Sequence, residues 1–287
     1  MIESNEGMKM QDKIEITDGG SIIQHGKLND RVYLMKLNKN DFPGIIDKIN
    51  QLGKTYSYTK FFCKVPFWAS PLFIADGFIV EAQIPFFYNN KVDVFFMSKF
   101  VNHARLMNLE YSKFNDLSGE LISYHENSNK LEVPSKYQIK HLQKDDADEI
   151  GMLYKKVFKS YPFPIYDPEY IRSTMKSHVQ YFGVKKNGQL IALASAEVDK
   201  KGKNAEMTDF ATLPDYRGNN LSVILLDKME NVIRKQGITT LYTIARLNSI
   251  AMNKTFLKLS YKYAGTLINN TNISGKIESM NVYYKHI

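Results

Sequence analysis

Hydrophobic and polar positions in the second half of the chain change between the two-residue period of strands and the 3.6-residue period of helices. Helical spacing predicts helices that begin near Asp145 and at Asp167, a long helix over 220–236 and a short one over 249–259. Alternating segments predict seven strands, over 137–142, 179–186, 189–198, 204–213, 239–247, 261–269 and 276–284. The order β-α-α-β-β-β-α-β-α-β-β predicts an α/β (α+β) domain of about 150 residues.

The first half of the chain is less regular, but part of it repeats an element order of the second half. Its pattern predicts a strand, a short helix and two strands, over 55–64, 68–76, 78–85 and 92–100. The same β-α-β-β order is predicted over 239–285, so this half is either a smaller α/β domain that is a degenerate half-repeat or a chance likeness. The polar segment 112–134 is interpreted as the connection. These patterns predict domains at 1–130 and 131–287.

The composition is that of a globular protein, with 44% hydrophobic and 24% charged residues in a chain of 287. No run reaches the roughly 18 uninterrupted apolar residues of a membrane span. The acidic amino terminus lacks the basic-then-apolar pattern of a signal peptide. Cys63 is the single cysteine, so an internal disulfide is excluded. We therefore expect a cytoplasmic protein.

The net charge of +8 lies entirely in the second half, because residues 1–130 carry 15 basic and 15 acidic residues. A basic surplus suits an anionic partner, such as nucleic acid, an anionic membrane or a phosphorylated small molecule, and equally a solvated basic face. Charge does not decide between them. Five aromatic residues are predicted to be core rather than a base-stacking platform, namely Phe61, Phe62, Phe67, Trp68 and Phe73.

The strand–turn–helix segment 208–226 is the strongest candidate for a binding site. Pro214 ends the strand, and the helix starts near Asn220. Unpaired backbone N–H groups at a helix start, together with the positive end of the helix dipole, form an anion nest that suits a pyrophosphate. Arg217 adds a permanent positive charge, and Gly218 lets the backbone approach a ligand closely.

This segment resembles motif A of the GNAT superfamily of acyl-CoA-dependent N-acyltransferases, Arg/Gln-x-x-Gly-x-Gly/Ala. Arg217 and Gly218 match. The motif is often preceded by Pro-x-Tyr, which Pro214 and Tyr216 match. Asn220 stands at the second glycine, and asparagine is the residue best able to replace glycine at positive φ. The predicted element order also matches this fold. The resemblance implies the GNAT acyltransferase fold with acetyl-CoA bound at the nest.

A second stretch, from Asn248 to Tyr261, resembles the superfamily's Asn-x-x-Ala-x-x-x-x-Tyr-x-x-x-Gly-Phe. Asn248 and Ala251 match. Phe256 stands where many members carry a tyrosine general acid, and a phenyl ring cannot protonate a leaving thiolate. The resemblance implies a set of cofactor-binding residues, namely Ala211, Thr212, Leu213, Arg217, Gly218, Asn219, Asn220, Leu221, Ser222, Asn248 and Asn253.

Several further segments are similar to a narrower family, the β-lysine N-acetyltransferases. They lie in both halves of the chain, at 64–66, 81–88, 208–214, 217–222 and 273–282. That family acetylates the terminal amine of β-lysine to make an osmoprotectant, so the resemblance implies this small amine as substrate. Two alternatives stay open: a different amine acceptor, such as a polyamine, an aminoglycoside or a protein terminus, and a non-catalytic acyl-CoA-binding or nucleic-acid-binding protein.

Acetyl transfer needs a neutral amine, and a lysine-type amine with a pKa of about 10.4 is protonated at pH 7. Glu206 and Asp209 are the candidate bases, and the alternative for each is an edge or surface carboxylate. Their opposite parity directs only one of them to the site unless a bulge intervenes. Backbone N–H groups over 211–213 are predicted to polarise the carbonyl. Arg246 is the candidate carboxylate anchor. The six histidines show no ligand spacing, so no metal is expected.

Overall fold

A computed structural model describes residues 12–107, 133–159 and 161–287. Within these residues thirteen strands form one continuous sheet. The strands are β1 (Lys13–Ile16), β2 (Ile22–Gly26), β3 (Arg31–Lys36), β4 (Lys60–Pro66), β5 (Ile79–Tyr88), β6 (Val92–Phe100), β7 (Gln138–His141), β8 (Val179–Lys186), β9 (Gln189–Asp199), β10 (Asn204–Thr212), β11 (Thr240–Arg246), β12 (Lys262–Ile273) and β13 (Lys276–His286). Their spatial order is β1-β2-β3-β4-β6-β5-β12-β13-β11-β10-β9-β8-β7.

The helices of the described residues are α1 (Ile45–Tyr56), α2 (Ser70–Ala75), α3 (His103–Met107), α4 (Ala147–Val157), α5 (Pro168–Ser177), α6 (Leu221–Arg234) and α7 (Ile250–Lys258). The predicted order of elements from residue 137 onward is confirmed. Short-range signals account for this, since Asp167 accepts the Glu169 N–H as the N-cap of α5 and Pro168 takes the first helical position.

The sheet has the same plan on both sides of the β5–β12 junction. The series β1-β2-β3-β4-β6-β5 on one side corresponds to β8-β9-β10-β11-β13-β12 on the other. Each side contains one parallel pair, β3–β4 and β10–β11, and α1 follows β3 as α6 follows β10. The repeat is therefore longer than the predicted half-repeat, because it also includes β1–β3 and α1.

Two predictions for the first half are wrong. The strand predicted over 55–64 begins only at Lys60, because α1 continues to Tyr56 and ends on Ser57 in the left-handed conformation, with φ 52°. Phe67 and Trp68 are also not core, since they are 58% and 38% exposed, whereas the other three predicted core aromatics are buried. Both lie in the short 3-10 turn after β4, whose outer side faces solvent.

A single glycine joins the two halves of the sheet. Gly265 is the residue of β12 in register with Ala82 of β5, at φ +149°. A Cβ atom at this position would lie 2.1 Å from the Glu81 carbonyl oxygen, so only glycine allows the strands to meet here. The buried Lys60–Glu81 ion pair (2.9 Å) binds β12 three residues further on. Glu81 accepts the Ile268 N–H, and Lys60 donates to the Ile268 carbonyl.

The two halves share one hydrophobic cluster and face each other across it. Phe62, Phe87 and Phe96 of the first half pack with Leu267 and Val282 of the second. Away from the cluster, an ion pair joins Lys36 of β3 to Asp199 of β9. The predicted boundary between residues 130 and 131 lies outside the described residues, and the division into two domains stays a prediction.

Candidate active site

The sheet opens between its two central parallel strands. β10 and β11 pair only through their first three residues, Asn204–Thr240 to Glu206–Tyr242. Beyond that point β10 continues beside β9 and β11 beside β13. The strands therefore diverge and leave a gap whose edges carry unpaired backbone groups.

The anion nest predicted at the start of α6 is formed by the backbone. Gly218 and Asn220 both have left-handed φ, +80° and +54°, as the requirement for a glycine-like residue at 220 predicted. Among the described residues, no acceptor pairs with the backbone N–H groups of 218–222. Asn220 makes no side-chain cap. Five consecutive amide donors and a helix N-terminus thus point to a place where an anion can bind.

Cations and amides surround this nest. Arg217 is exposed and its Nε donates to the Thr212 carbonyl (3.4 Å), while Lys258 donates to the side-chain oxygen of Asn220 (3.2 Å). Asn219 uses its side chain to bond the Tyr216 carbonyl, which holds the turn. The predicted cofactor-binding residues over 217–220 and Ser222 thus lie together at the start of α6, whereas the side chain of Leu221 is buried in the core. Whether each of them touches a cofactor stays a prediction.

The backbone amides over 211–213 do not all face the gap. The Leu213 N–H donates to the Ile191 carbonyl of β9 (3.0 Å), so it cannot polarise a carbonyl in the gap, and that expectation is wrong for Leu213. Because amides alternate in direction along a strand, Ala211 also faces β9 and Thr212 faces the β11 side. Thr212 is therefore the member of this trio whose N–H is directed at the gap.

The second motif contains two asparagines, one exposed to solvent and one whose side chain already makes all of its hydrogen bonds. Asn248 is exposed at the end of β11. Asn253 is buried, and its amide group donates to the carbonyls of Arg246 and Ser249 while it accepts from Asn281 and Tyr283. Asn253 has no donor or acceptor left for a cofactor, so its predicted binding role is replaced by a structural one. It holds the turn between β11 and α7.

Phe256, at the position of the superfamily's tyrosine, is 1% exposed. Its ring packs edge-on against Phe210 (5.6 Å between centroids) and Tyr261 (5.3 Å), and is stacked on Tyr283 (6.1 Å). The residue is part of the main core of the second half. No proton donor is supplied from this position.

A β-bulge places both predicted acids in one cleft. The register between β10 and β9 shifts between Thr208 and Ala211, and Asp209 has left-handed φ of +55°. The extra residue reverses the parity, so Glu206 and Asp209 both line the same cleft. The surface-carboxylate alternative is wrong for both, since burial raises the pKa of each.

The two acids differ in their hydrogen bonds. Both carboxylate oxygens of Asp209 are used, because it accepts from Ser195 (2.6 Å) and from Tyr161. Glu206 accepts from the Tyr242 hydroxyl, which in turn accepts from Lys64 (2.9 Å). Asp209 is therefore held in place by its neighbours, while Glu206 belongs to a chain that ends on a lysine of the first half.

Glu197 is a third acid in the cleft, and the sequence interpretation missed it. It lies on β9 directly opposite Glu206, and its carboxylate makes no hydrogen bond to the described residues. Burial, together with the negative charges of Glu206 and Asp209, raises its pKa to about 8. The predicted turn at 200–203 already implied this pairing, because counting back from that turn sets 197 opposite 206.

The other wall of the cleft comes from the first half of the chain. Arg31, Tyr33 and Phe62 lie across from the three acids, and the cleft has a volume of about 100 Å³. An adjoining cleft of about 190 Å³ shares Glu197 and Asp209 with it. A polar cleft lined by both halves of the chain suits a small-molecule site.

Arg246, the predicted carboxylate anchor, is committed elsewhere. Its Nε and Nη2 bond both oxygens of Glu278, at 2.9 and 2.7 Å. It is not among the residues that line the cleft. Within the described part of the chain there is also no group of three or more His, Cys, Asp or Glu that could hold a metal. Nor does any helix of those residues have the length and apolarity that crossing a membrane requires.

Comparison with known proteins gives consistent relatives. The model of the acetyltransferase (GNAT) family matches residues 147–261. The β-lysine N(6)-acetyltransferase of Methanococcus maripaludis is 41% identical over 279 residues, which cover 96% of this chain and 99% of that protein. The N-acetyltransferase YodP of Bacillus subtilis is 36% identical over 53% of this chain and 55% of its own. The β-lysine N(6)-acetyltransferase of Methanosarcina mazei is 36% identical over 54% of this chain and 57% of its own.

The diverging parallel strands, the nest at α6 and these relatives lead to one assignment. Identity with the Methanococcus protein extends over the first half as well as over the matched GNAT region. The protein is an N-acetyltransferase with acetyl-CoA as its acetyl donor. The chain belongs to the β-lysine N6-acetyltransferase family within the GNAT acetyltransferases.

Proposed function

We propose that this enzyme acetylates the distal amine of β-lysine to give N6-acetyl-β-lysine, a compatible solute for osmoadaptation in the cytoplasm. One observation carries the proposal beyond the family: three carboxylates, Glu197, Glu206 and Asp209, converge in a small cleft beside the β10–β11 gap. An acidic, enclosed cleft attracts and orients a diammonium substrate. The likeness to the Methanococcus enzyme, which includes the half that forms the other wall, supports the same acceptor.

The nest fits acetyl-CoA. Its five unpaired amides and the cations of Arg217 and Lys258 match the charge and the hydrogen-bond acceptors of a pyrophosphate. Exposed Asn248 and the Thr212 N–H are the groups proposed to hold the cosubstrate along the gap. When bound, acetyl-CoA supplies an activated acetyl thioester.

Glu197 is proposed as the base that takes the proton of the substrate ammonium. It is the acid of the cleft whose carboxylate has no hydrogen bond to the described residues, and with a pKa of about 8 its ionised, proton-accepting form becomes more populated as the pH rises above 7. Glu206 and Asp209 then provide negative charge for the ammonium groups of the substrate. Asp209, with both oxygens bonded, acts by position.

The rival acceptors fit the cleft less well. A protein terminus requires a long groove for a polypeptide, whereas this cleft between the two halves of the chain is small. A purely nucleic-acid-binding role gives no account of three buried acids, which repel phosphates.

The experiment is the turnover of acetyl-CoA with β-lysine against α-lysine, with the acetylated nitrogen identified by NMR. We expect at least a roughly tenfold higher kcat/KM for β-lysine, and acetylation at the distal amine, since moving an amine by one carbon misplaces it by about 1.5 Å. Equal turnover of both lysines, or acetylation at the proximal amine, would replace this substrate assignment.

A further inference from the structure

Arg31 is a buried cation in the cleft that forms no ion pair with the described residues. It is 4% exposed on β3, and its guanidinium lies over the rings of Tyr33 and Phe62, with centroids at 5.1 and 5.7 Å. Nη1 donates to the Asn270 carbonyl (2.6 Å) and to the Thr271 hydroxyl (3.1 Å). Both partners are neutral, and Asp12 is the acid whose charge acts on Arg31, without an ion pair between them.

The opposite edge of this guanidinium is free. Nε is buried without a hydrogen-bond partner, and Nη2 makes no hydrogen bond to the described residues. The Nε–Nη2 edge is the one that binds a carboxylate side-on. Arg246 uses this same edge to hold Glu278. An unpaired buried donor is unfavourable, so this edge favours an acceptor from outside the chain.

A second buried arginine shows that the fold can satisfy such a side chain internally. Arg105, 7% exposed, donates from Nε, Nη1 and Nη2 to the backbone carbonyls of Asn269, Asp30 and Asn29. Arg31 differs from Arg105 in its unpaired edge and in its place on the wall of the cleft. Burial alone therefore does not explain the unpaired edge.

We propose that Arg31 binds the carboxylate of the amine substrate, side-on through Nε and Nη2, while the acids on the opposite wall bind its ammonium groups. This inference rests on the proposed function. It assigns substrate selection to the first half of the chain and cofactor binding to the second.

The charges of the cleft agree with such a substrate. The acids Glu197, Glu206 and Asp209 lie on one wall of the cleft and Arg31 lies on the other. The charge of Lys64, which is outside the lining, acts on Glu197 as well. Burial lowers the pKa of Arg31 to about 10, so it still carries its charge at neutral pH. A polyamine would bring more positive charge and leave Arg31 unpaired, whereas an amino acid with two amines satisfies both walls.

The test compares β-lysine with pentane-1,4-diamine, which is β-lysine without its carboxyl group. In Arg31→Gln we expect kcat/KM for β-lysine to fall roughly 10- to 100-fold, through a higher KM, because a charged bidentate pair is lost. For pentane-1,4-diamine we expect a change of less than about threefold. Arg31→Lys keeps the charge but loses the bidentate guanidinium, so its kcat/KM for β-lysine should lie between those of the wild type and Arg31→Gln. The matched control Arg246→Lys, outside the cleft, should keep the wild-type ratio between the substrates.

The ratio of the two kcat/KM values on one preparation cancels any loss of folded enzyme. An unchanged ratio in Arg31→Gln, with β-lysine still preferred by the wild type, would overturn the role of Arg31 and leave the proposed function standing. No preference for β-lysine in the wild type would overturn the proposed function, and this inference with it. Should Arg31→Gln not fold, a wild-type ratio in Arg31→Lys would count against the side-on pair in the same way.

Discussion

At the scale of single residues, one left-handed backbone position determines the electrostatics of the cleft. Asp209 at φ +55° creates the bulge in β10, and the bulge turns its side chain to the face that Glu206 already occupies. Three carboxylates in a confined volume repel one another, so at least one of them stays protonated near neutral pH. Glu197 is the one whose carboxylate makes no hydrogen bond to the described residues, and its pKa is about 8.

This arrangement predicts the pH dependence of the reaction. The free enzyme holds Glu197 neutral at pH 7 and ionises it above about pH 8. As a base must be ionised, kcat/KM for β-lysine should rise between pH 7 and 9. Glu197→Gln should remove this rise, the alkaline limb of the pH profile, and lower kcat/KM by about 100-fold. The matched control Glu230→Gln changes a buried acid that pairs with Lys285 outside the cleft, so the limb should persist. A limb that survives in Glu197→Gln would assign the base elsewhere.

The same shift has a consequence for stability. The folded state keeps the Glu197 proton up to about pH 8, whereas an unfolded carboxyl loses it near its ordinary value of 4.5. Between these values the folded state binds more protons, so the wild type should lose free energy of unfolding as the pH rises. Glu197→Gln should make that loss smaller, which denaturant titrations at pH 5 and pH 8 measure.

At the scale of elements, both halves have a helix after the corresponding strands β3 and β10, but only the second half has the anion nest. α6 begins after Gly218 and Asn220 in left-handed conformations, with five free amides. α1 begins after Pro43 and Gly44, and Gly44 is right-handed, at φ −58°. Proline has no N–H to offer an anion. We therefore expect one acetyl-CoA per chain.

The nest is tested by two substitutions of one residue. Asn220→Pro removes an amide donor and forces φ from +54° to about −65°, so it should weaken acetyl-CoA binding more than about 100-fold. Asn220→Gly is the matched control, because it loses the same side-chain contact with Lys258 but keeps the N–H and the positive φ. Calorimetry should give wild-type affinity within about threefold for the glycine variant. Equal affinity in both variants would exclude the nest as the binding site.

At the scale of the whole molecule, a narrow junction makes one structure of the two halves. The β5–β12 pairing is in register at Gly265 alone, and the buried Lys60–Glu81 pair and the shared apolar cluster reinforce it. The substrate cleft has one wall from each half. Separation of the halves would therefore remove the cleft even if each half kept its own core.

The junction predicts that the halves unfold together. Gly265→Ala adds a Cβ 2.1 Å from the Glu81 oxygen, and we expect it to lower the free energy of unfolding by about 2–4 kcal/mol. Gly275→Ala is the matched control, since φ there is also positive but no atom lies within 4 Å, and about 1 kcal/mol should be lost. Trp68, the single tryptophan, reports the first half by its fluorescence. The unfolding transition that Trp68 fluorescence reports should coincide with the one that circular dichroism reports for the whole chain. A Trp68 transition unaffected by Gly265→Ala would show independent halves.

The sequence by itself determined the features that depend on near neighbours. The order of elements after residue 137 follows from periodicity and from caps such as Asp167. The nest at 217–222 follows from a helix start and from residues that tolerate positive φ, both of which are local properties. The resemblance to the acetyltransferase family rests on this same segment, and the matched family model includes it.

Tertiary structure decided which side chains share the cleft. Arg31 meets the segment around Asn270 across 239 positions, and no periodicity predicts a contact at that separation. The bulge at Asp209, the glycine junction at 265 and the saturation of Asn253 likewise depend on what packs beside each residue. Binding and catalysis depend on these long-range placements, because a charge acquires its strength and its pKa from the groups that surround it in space.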